Sequence, residues 1–279
     1  MLHAHGIAAI RDQSDRNSLV WHFYEMGDEM TGISKLMSIL VLASLTLVAQ
    51  VQAAQKVVFD TGHGERFVVG EKGPLQLSGL AEILQGQGIQ VETVDQPFSE
   101  ASLAGADALV ISGAFQRLHP AEIDAVLRFV QNGGKLAIML HIAPPLGPLL
   151  DRMMISYTNG VIQERQNVID NDPQRFKVNR LGSHPVLAGL QEFSLHGVWG
   201  LINRDESTRI IASSSPEAWI DIDRDKIRKK EATASFGVVV AGELGKGGFL
   251  VFGDDAIFQN KFLDENNAQL ATNLANWLK

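Results

Sequence analysis

Three short apolar runs that break abruptly into polar or glycine residues constrain this chain most: 56–60, 108–112 and 135–141. A strand covered on both faces reads as such a continuous run, whereas a half-buried strand alternates. Patterns of helical spacing lie between them. Residues 75–87 carry Leu77, Leu80, Ala81 and Leu84 on one face, with Gly86 and Gly88 ending the segment. His119 and Pro120 open a second helix whose face is Ile123, Val126, Leu127 and Val130, stopped at Asn132, Gly133 and Gly134. Residues 89–94 supply a further strand. Strands and helices alternating through short links predict right-handed parallel crossovers, hence an α/β fold with a mostly parallel sheet and helices on both faces.

Beyond residue 154 the pattern is less regular. Extended pieces are expected at 160–169 and 176–180, and a strand at 208–212. Residues 236–241 and 248–252 flank Glu243 to Gly247 and predict a C-terminal β-hairpin, followed by an amphipathic helix over 264–278. The glycines around Lys246 lack the spacing of a phosphate-binding loop and join two strands, so a hairpin turn is the reading there.

With 45% hydrophobic and 20% charged residues, the 279-residue chain can bury one sizeable core. A formal charge of −8 and a pI near 5.5 argue against nucleic acid as a partner, which rewards a basic patch. The run 224–230 is basic but interleaved with Asp223 and Asp225, as in a solvated loop. Cysteine is absent, which removes thiol nucleophiles, zinc–thiolate sites and disulfides.

The N-terminal part has its own logic. Residues 1–29 show no apolar period and are read as an upstream segment preceding a later start at Met30 or Met26. From there Lys35, the apolar run 36–49 and the sequence Val51, Gln52, Ala53 form a secretory signal peptide over 30–53. The apolar run is shorter than the roughly 20 residues a spanning helix needs, so no stable membrane span is expected after processing. Residues 54–279 are expected to form a single exported domain, periplasmic or secreted.

In open α/β sheets ligands bind outside the carboxyl ends of the strands. That edge predicts a candidate ligand-binding set of Asp60, His63, Glu65, Ser112, Gly113, His141, Asp254 and Asp255. Gly62, Gly64 and Gly113 would let the backbone approach a bound group. Each residue also has a simpler reading. Asp60 and Asp254 can hold turns by accepting loop N–H bonds, and histidine with carboxylates can bind zinc, although scattered histidines more often cap or face solvent. A Ser112–His141–Asp254 triad can be drawn, but Ser112 lacks the Gly-x-Ser-x-Gly elbow. No catalytic residue, metal or cofactor is expected. Tyr157, Trp199 and Trp219 are aromatic groups that either pack or stack on a sugar ring.

Four groups of residues carry a resemblance. They are Phe59, Asp60, His63 and Gly64; His119, Pro120, Glu122, Phe129, Val130 and Gly133 to Leu136; Ser183 to Leu187 with Gly189 and Leu190; and Gly248 to Asp254 with Asn260, Asn273, Trp277 and Leu278. Together they resemble class I glutamine amidotransferase-like domains, in particular uncharacterised domains akin to those of gliding-motility transporter auxiliaries and intraflagellar-transport proteins. The resemblance implies a flavodoxin-like three-layer sandwich. It also implies a non-catalytic ligand-binding or scaffolding role, with a small-molecule or saccharide ligand or an envelope protein as partner. The catalytic relatives carry a nucleophilic cysteine at a strand-to-helix elbow; here the matching strand ends in Met139, Leu140, His141, Ile142, Ala143 and Pro144. Glutamine hydrolysis by that mechanism is excluded. The competing reading is a metal-dependent or serine hydrolase built from the strand-end residues.

N-terminal sequencing of the protein recovered from the cell envelope is expected to begin at Ala54. An N-terminus upstream of Leu36 would contradict the export reading.

Overall fold

The computed structural model describes residues 54–279; the signal-peptide and upstream assignments lie outside the described residues. The first half follows the alternation of the sequence: β1 (Lys56–Asp60), α1 (Ser78–Gly86), β2 (Gln90–Val94), β3 (Ala108–Ser112), α2 (Pro120–Gln131), β4 (Lys135–Met139) and α3 (Gly147–Arg152). The second half is strand-rich. It comprises β5 (Ile155–Gln163), β6 (Val168–Ile169), β7 (Asp172–Val178), β8 (Arg180–Leu181), β9 (Phe193–His196), β10 (Trp199–Asn203) and β11 (Thr208–Ser213). There follow β12 (Trp219–Ile220), β13 (Gly237–Leu244), β14 (Gly247–Phe252) and the last helix α4 (Glu265–Leu278).

The result is a mixed α/β protein with an 11-stranded sheet in the order β2-β1-β3-β4-β14-β13-β10-β5-β12, with β11 on β13 and β8 on β11. From β2 to β14 every pairing is parallel. From β14 onward every pairing is antiparallel, so the expectation of a mostly parallel sheet holds for one half only. The antiparallel half arises where no α-helix crosses between strands: β14 returns from β13 through a tight hairpin, and β5, β10 and β11 add to that edge from the segment without α-helices. A separate three-stranded sheet, β6-β7-β9, packs beside them.

Alternation along the parallel strands explains the layers. Val57, Phe59, Ala108, Val110, Ala137 and Met139 point to one face, where Leu80 and Leu84 of α1 and Leu270 and Leu274 of α4 cover them. Val58, Leu109, Ile111, Leu136 and Ile138 point to the other, under Ile123, Val126 and Val130 of α2 and Leu149 and Leu150 of α3. Each fully buried aliphatic side chain contributes about 1.5–3 kcal/mol, and a slip of one residue would move both sets to the wrong face.

Helix α4 is anchored by polar groups as well. Asp264 caps it by accepting from Asn267 N at 2.9 Å. The buried Asn267 side chain accepts from Ser194 N at 3.0 Å and donates to Ser194 O at 3.2 Å, so the amide replaces a strand partner for β9. Asn273 donates to Val186 O and Ala188 O in the turn after Pro185. The hairpin is closed at Gly245, whose φ of +62° suits glycine. The run 221–230 is an exposed loop in which Lys229 pairs with Asp223 and Asp225. Among the described residues no helix is long and apolar enough to cross a membrane.

At the junction of the two halves, Gly253 donates to Val238 O at 2.9 Å and accepts from Trp199 N at 2.7 Å. A Cβ there would run into the Trp199 carbonyl oxygen. Gly253→Ala is therefore expected to lower the free energy of unfolding by about 1–3 kcal/mol, the scale of overpacking. Urea denaturation checks this, and an unchanged midpoint would contradict the close approach.

Candidate functional site

The parallel register brings four strand ends to one level. Ser112 pairs with Met139, and Met139 with Phe252. The ladder then continues past the strands, with Leu140 N donating to Phe252 O at 3.0 Å and Asp255 N to Leu140 O at 3.1 Å. His141 and Asp255, 114 residues apart in sequence, meet for this reason. The loop after β1 joins the same edge, since Phe115 N and Gln116 N both donate to His63 O.

The sequence-predicted residues separate into two groups. The first is built on His63, which is buried. Its Nδ1 lies 2.8 and 2.9 Å from the two oxygens of buried Asp60, and its Nε2 lies 3.0 Å from Glu122 Oε1. Burial alone would lower the imidazole pKa, but the hydrogen bonds and charges of Asp60 and Glu122 outweigh it and raise it to about 9. Glu122 in turn accepts from Phe98 N and His119 N, at the first turn of α2. Burial pushes Glu122 up, but these backbone donors and His63 hold it below the ordinary carboxylate value. Asp60 also accepts from Gly62 N at 3.0 Å. The imidazolium thus clamps the end of β1 to the start of α2.

Glu65 completes this group by accepting from His63 N at 2.8 Å. Burial and then the adjoining Asp60 carboxylate raise it to about 8, so it is a neutral acid at neutral pH. One donor atom each from Asp60, His63 and Glu65 lies within 4.8 Å of the others, as a cation site would require. The donor chemistry does not fit. Both His63 nitrogens carry protons toward carboxylates at hydrogen-bond distance, leaving no lone pair for a metal at about 2.0–2.1 Å.

The second group is built on His141. Its Nδ1 lies 3.1 Å from Asp255 Oδ1, while 38% of its side chain is exposed. The hydrogen bond from Asp255 raises its pKa, against a smaller opposing effect of burial. Phe67 and Phe115 stand on its ring at centroid distances of 5.1 and 5.2 Å, and Trp199 Nε1 donates to its carbonyl oxygen at 3.1 Å. Gly113, at φ +68°, leaves the space that Asp255 occupies, for a Cβ there would stand 2.8 Å from Asp255 Oδ2.

Asp254 does not join His141. Its oxygens accept from His196 N at 2.5 Å and Ala256 N at 2.8 Å, so it holds the turn after β14. Burial and the charge of Asp255 raise it to about 7. Ser112 Oγ is buried without a partner, and His141 faces Asp255, so the Ser112–His141–Asp254 triad is not assembled. Glu65 Oε1 and Asp255 Oδ2 are likewise buried and unpaired, and with Ser112 Oγ they all lie at this edge. Buried polar atoms without partners are uncommon in folded proteins.

Sequence reasoning missed Glu122, Phe67 and Phe115. A signal existed for Glu122, which stands three residues after His119 where a capping side chain reaches back to the helix start; nothing in the loop sequence marks the two phenylalanines. Of the remaining histidines, His184 Nδ1 accepts from Val186 N at 3.1 Å and serves the turn. His196 stacks on Phe262 at 3.9 Å, and burial with the charge of Arg175 pushes it down to about 4. Two surface clefts stand nearby or apart. One of about 350 Å³ lies beside the carboxyl edge, between Arg117, Pro144 and Tyr157; another of about 410 Å³ lies away from it, between 179–182 and 210–213.

A family model described as "Domain of unknown function (DUF4350)" matches residues 70–275. No curated protein sequence matches the chain. Among solved structures, the "mmIFT52 N-terminal domain" is similar at 15% identity and a TM-score of 0.64, covering 80% of this chain and 96% of that one. A putative ThuA-like protein from Bacteroides uniformis has 14% identity and a TM-score of 0.52, over 81% of this chain and 91% of its own. A putative ThuA-like protein from Parabacteroides merdae has 15% identity and a TM-score of 0.51, over 80% and 89%. At such identities the likeness is one of fold alone.

The clamp has a pH signature. The folded pKa of His63 is about 9 against an ordinary 6.5, so its contribution to stability is complete below pH 6.5 and is lost as pH rises through 9. Glu65 and Asp254, also raised, add a decline of the same sign at lower pH. Urea unfolding is expected to show stability falling from pH 6.5 to 9. His63→Gln is expected to cost about 3–5 kcal/mol, because it strands two buried carboxylates, and to flatten that decline. Stability that rises with pH across this window would contradict the clamp.

Proposed function

We propose that this chain, which belongs to the family described as Domain of unknown function (DUF4350), is a non-catalytic module that binds a small ligand at the carboxyl edge of its parallel strands. The observation that carries the reading is His141. Its Nδ1 is held by buried Asp255, its ring stands between two phenylalanines, and its Nε2 has no protein partner among the described residues. A side chain oriented on one nitrogen and presented on the other is pre-organised to bond a ligand, accepting at Nε2 when the ring is neutral and donating when it is protonated. Phe67 and Phe115 beside it, with Tyr157 and Trp199 in edge contact at 6.1 Å nearby, offer apolar faces of the kind that stack on saccharide rings.

Helices on both faces of the parallel half support placing the fold in the glutamine amidotransferase-like superfamily, as a flavodoxin-like sandwich. The position of that superfamily's nucleophile is taken by Leu140, His141 and Ile142, which favours binding over acyl transfer. The signal-like segment 30–53 supports a periplasmic or secreted location for the proposed activity, where a saccharide or an envelope protein would be the partner. A hydrolase would need a nucleophile in reach of His141, and Ser112 Oγ makes no such contact.

The test is chemical-shift mapping with a panel of glucose, glucosamine and glucuronate. Perturbations are expected at Phe67, Gly113, Phe115 and His141, and are expected to vanish in His141→Gln. That variant should unfold within about 1 kcal/mol of wild type, since His141 is partly exposed. Shifts confined to 179–182 and 210–213, or covalent labelling of Ser112 by a fluorophosphonate, would contradict the proposal.

A further inference from the structure

Phe115 stands beside two basic groups. The guanidinium of Arg66 lies 4.8 Å from its ring centroid, and the His141 ring lies 5.2 Å from the same centroid. We infer that Arg66 and His141 form a binding site for a single anionic group, a carboxylate or a phosphate, seated over the edge of Phe115 at the mouth of the strand-end site.

The inference rests on the ligand-binding reading of that site and names the chemistry of its occupant. Three features carry it. Arg66 is exposed, forms no ion pair among the described residues, and lies over the Phe115 ring at the strand-end site. His141 is bonded on its Nδ1 side to the buried Asp255 carboxylate, so when the ring is protonated its Nε2 carries a proton with no acceptor among the described residues. The Arg66 charge also opposes protonation of His141, so the two groups are close enough to repel. An anion between them removes that repulsion and accepts from both, and charge-assisted bonds of this kind are roughly twice as strong as neutral ones.

The pair sets two basic groups at an edge that also carries Asp60, Glu65, Asp254 and Asp255. It is built by the fold. Arg66 follows the His63 clamp, Phe115 sits in the loop whose neighbouring amides hold His63 O, and His141 is delivered by the β4–β14 register. Behind the pair, Ser112 Oγ and Asp255 Oδ2 are buried and unpaired. These atoms call for hydrogen-bond donors close to the anion subsite, as a hydroxylated ligand or its accompanying water would supply. A sugar acid or a sugar phosphate combines both features.

Three sugars that share a ring but differ in charge test this: glucose, glucuronate and glucose 6-phosphate, with inorganic phosphate alongside. Titrations of the full domain 54–279 at low ionic strength are followed through the His141 ring protons. At least one charged sugar is expected to bind ten times more tightly than glucose. Arg66→Gln, at an exposed position, is expected to weaken that ligand about tenfold while leaving the affinity for glucose unchanged. Glucuronate binding identifies a carboxylate. Glucose 6-phosphate binding more tightly than inorganic phosphate identifies a sugar phosphate, and equal binding of the two identifies the phosphate alone. If glucose binds as tightly as both charged sugars and Arg66→Gln changes nothing, the anion site is overturned while the ligand-binding reading stands. If none of the four probes perturbs His141, both are overturned.

Discussion

In-register hydrogen bonding between parallel strands is the constraint on which the rest of this structure depends. With Ser112 level with Met139 and Met139 level with Phe252, the polar residues that follow each strand emerge side by side. Helices packed on both faces enforce that register, because a slip of one residue would turn Leu109, Ile111, Leu136 and Ile138 out of one core layer and into the other. The meeting of His141 with Asp255 is therefore maintained by the burial of residues that never touch either.

The same edge shows how a fold accommodates buried charge. Asp60, His63 and Glu122 are nearly out of solvent, and each would be costly alone. Together the imidazolium between two carboxylates, with backbone donors on the outer oxygens, leaves every charge paired. This cluster is rigid structure, and its rigidity supports the neighbouring loop that carries Phe115. His141 differs because it is only half enclosed. One nitrogen is fixed and the other is open, which makes it the presented member of a set that looked homogeneous in the sequence.

The parallel half of the fold was legible because its signals are local: continuous apolar runs for β1, β3 and β4, a 3.6-residue period for α1 and α2, glycines at their ends. Of the antiparallel half, the β13–β14 hairpin and β11 were legible as well, and the rest was not. The expected extended piece 160–169 overlaps only the end of β5, whose burial alternates irregularly. β9 and β10 are four and five residues long and gain their partners from distant segments, so no local window reveals them. At the site, the topology argument foresaw that strand-end residues gather at one edge. The turn-holding reading of Asp254 is the one the His196 and Ala256 amides bear out, whereas the pairing of Asp255 with His141 had no sequence signal. Glu122 came from a helix start, outside the strand-end rule altogether.

The division between a structural clamp and a presented histidine can be observed directly by nitrogen-15 NMR of the imidazole rings between pH 6 and 10. The account predicts that His63 keeps both ring nitrogens protonated until about pH 9, with its N–H protons protected from exchange. It predicts that His141 Nδ1 stays bonded to Asp255 while the Nε2 side remains open to exchange with solvent. A His63 that titrates near pH 6.5 with an exchanging Nε2, or a His141 protected on both nitrogens, would contradict it.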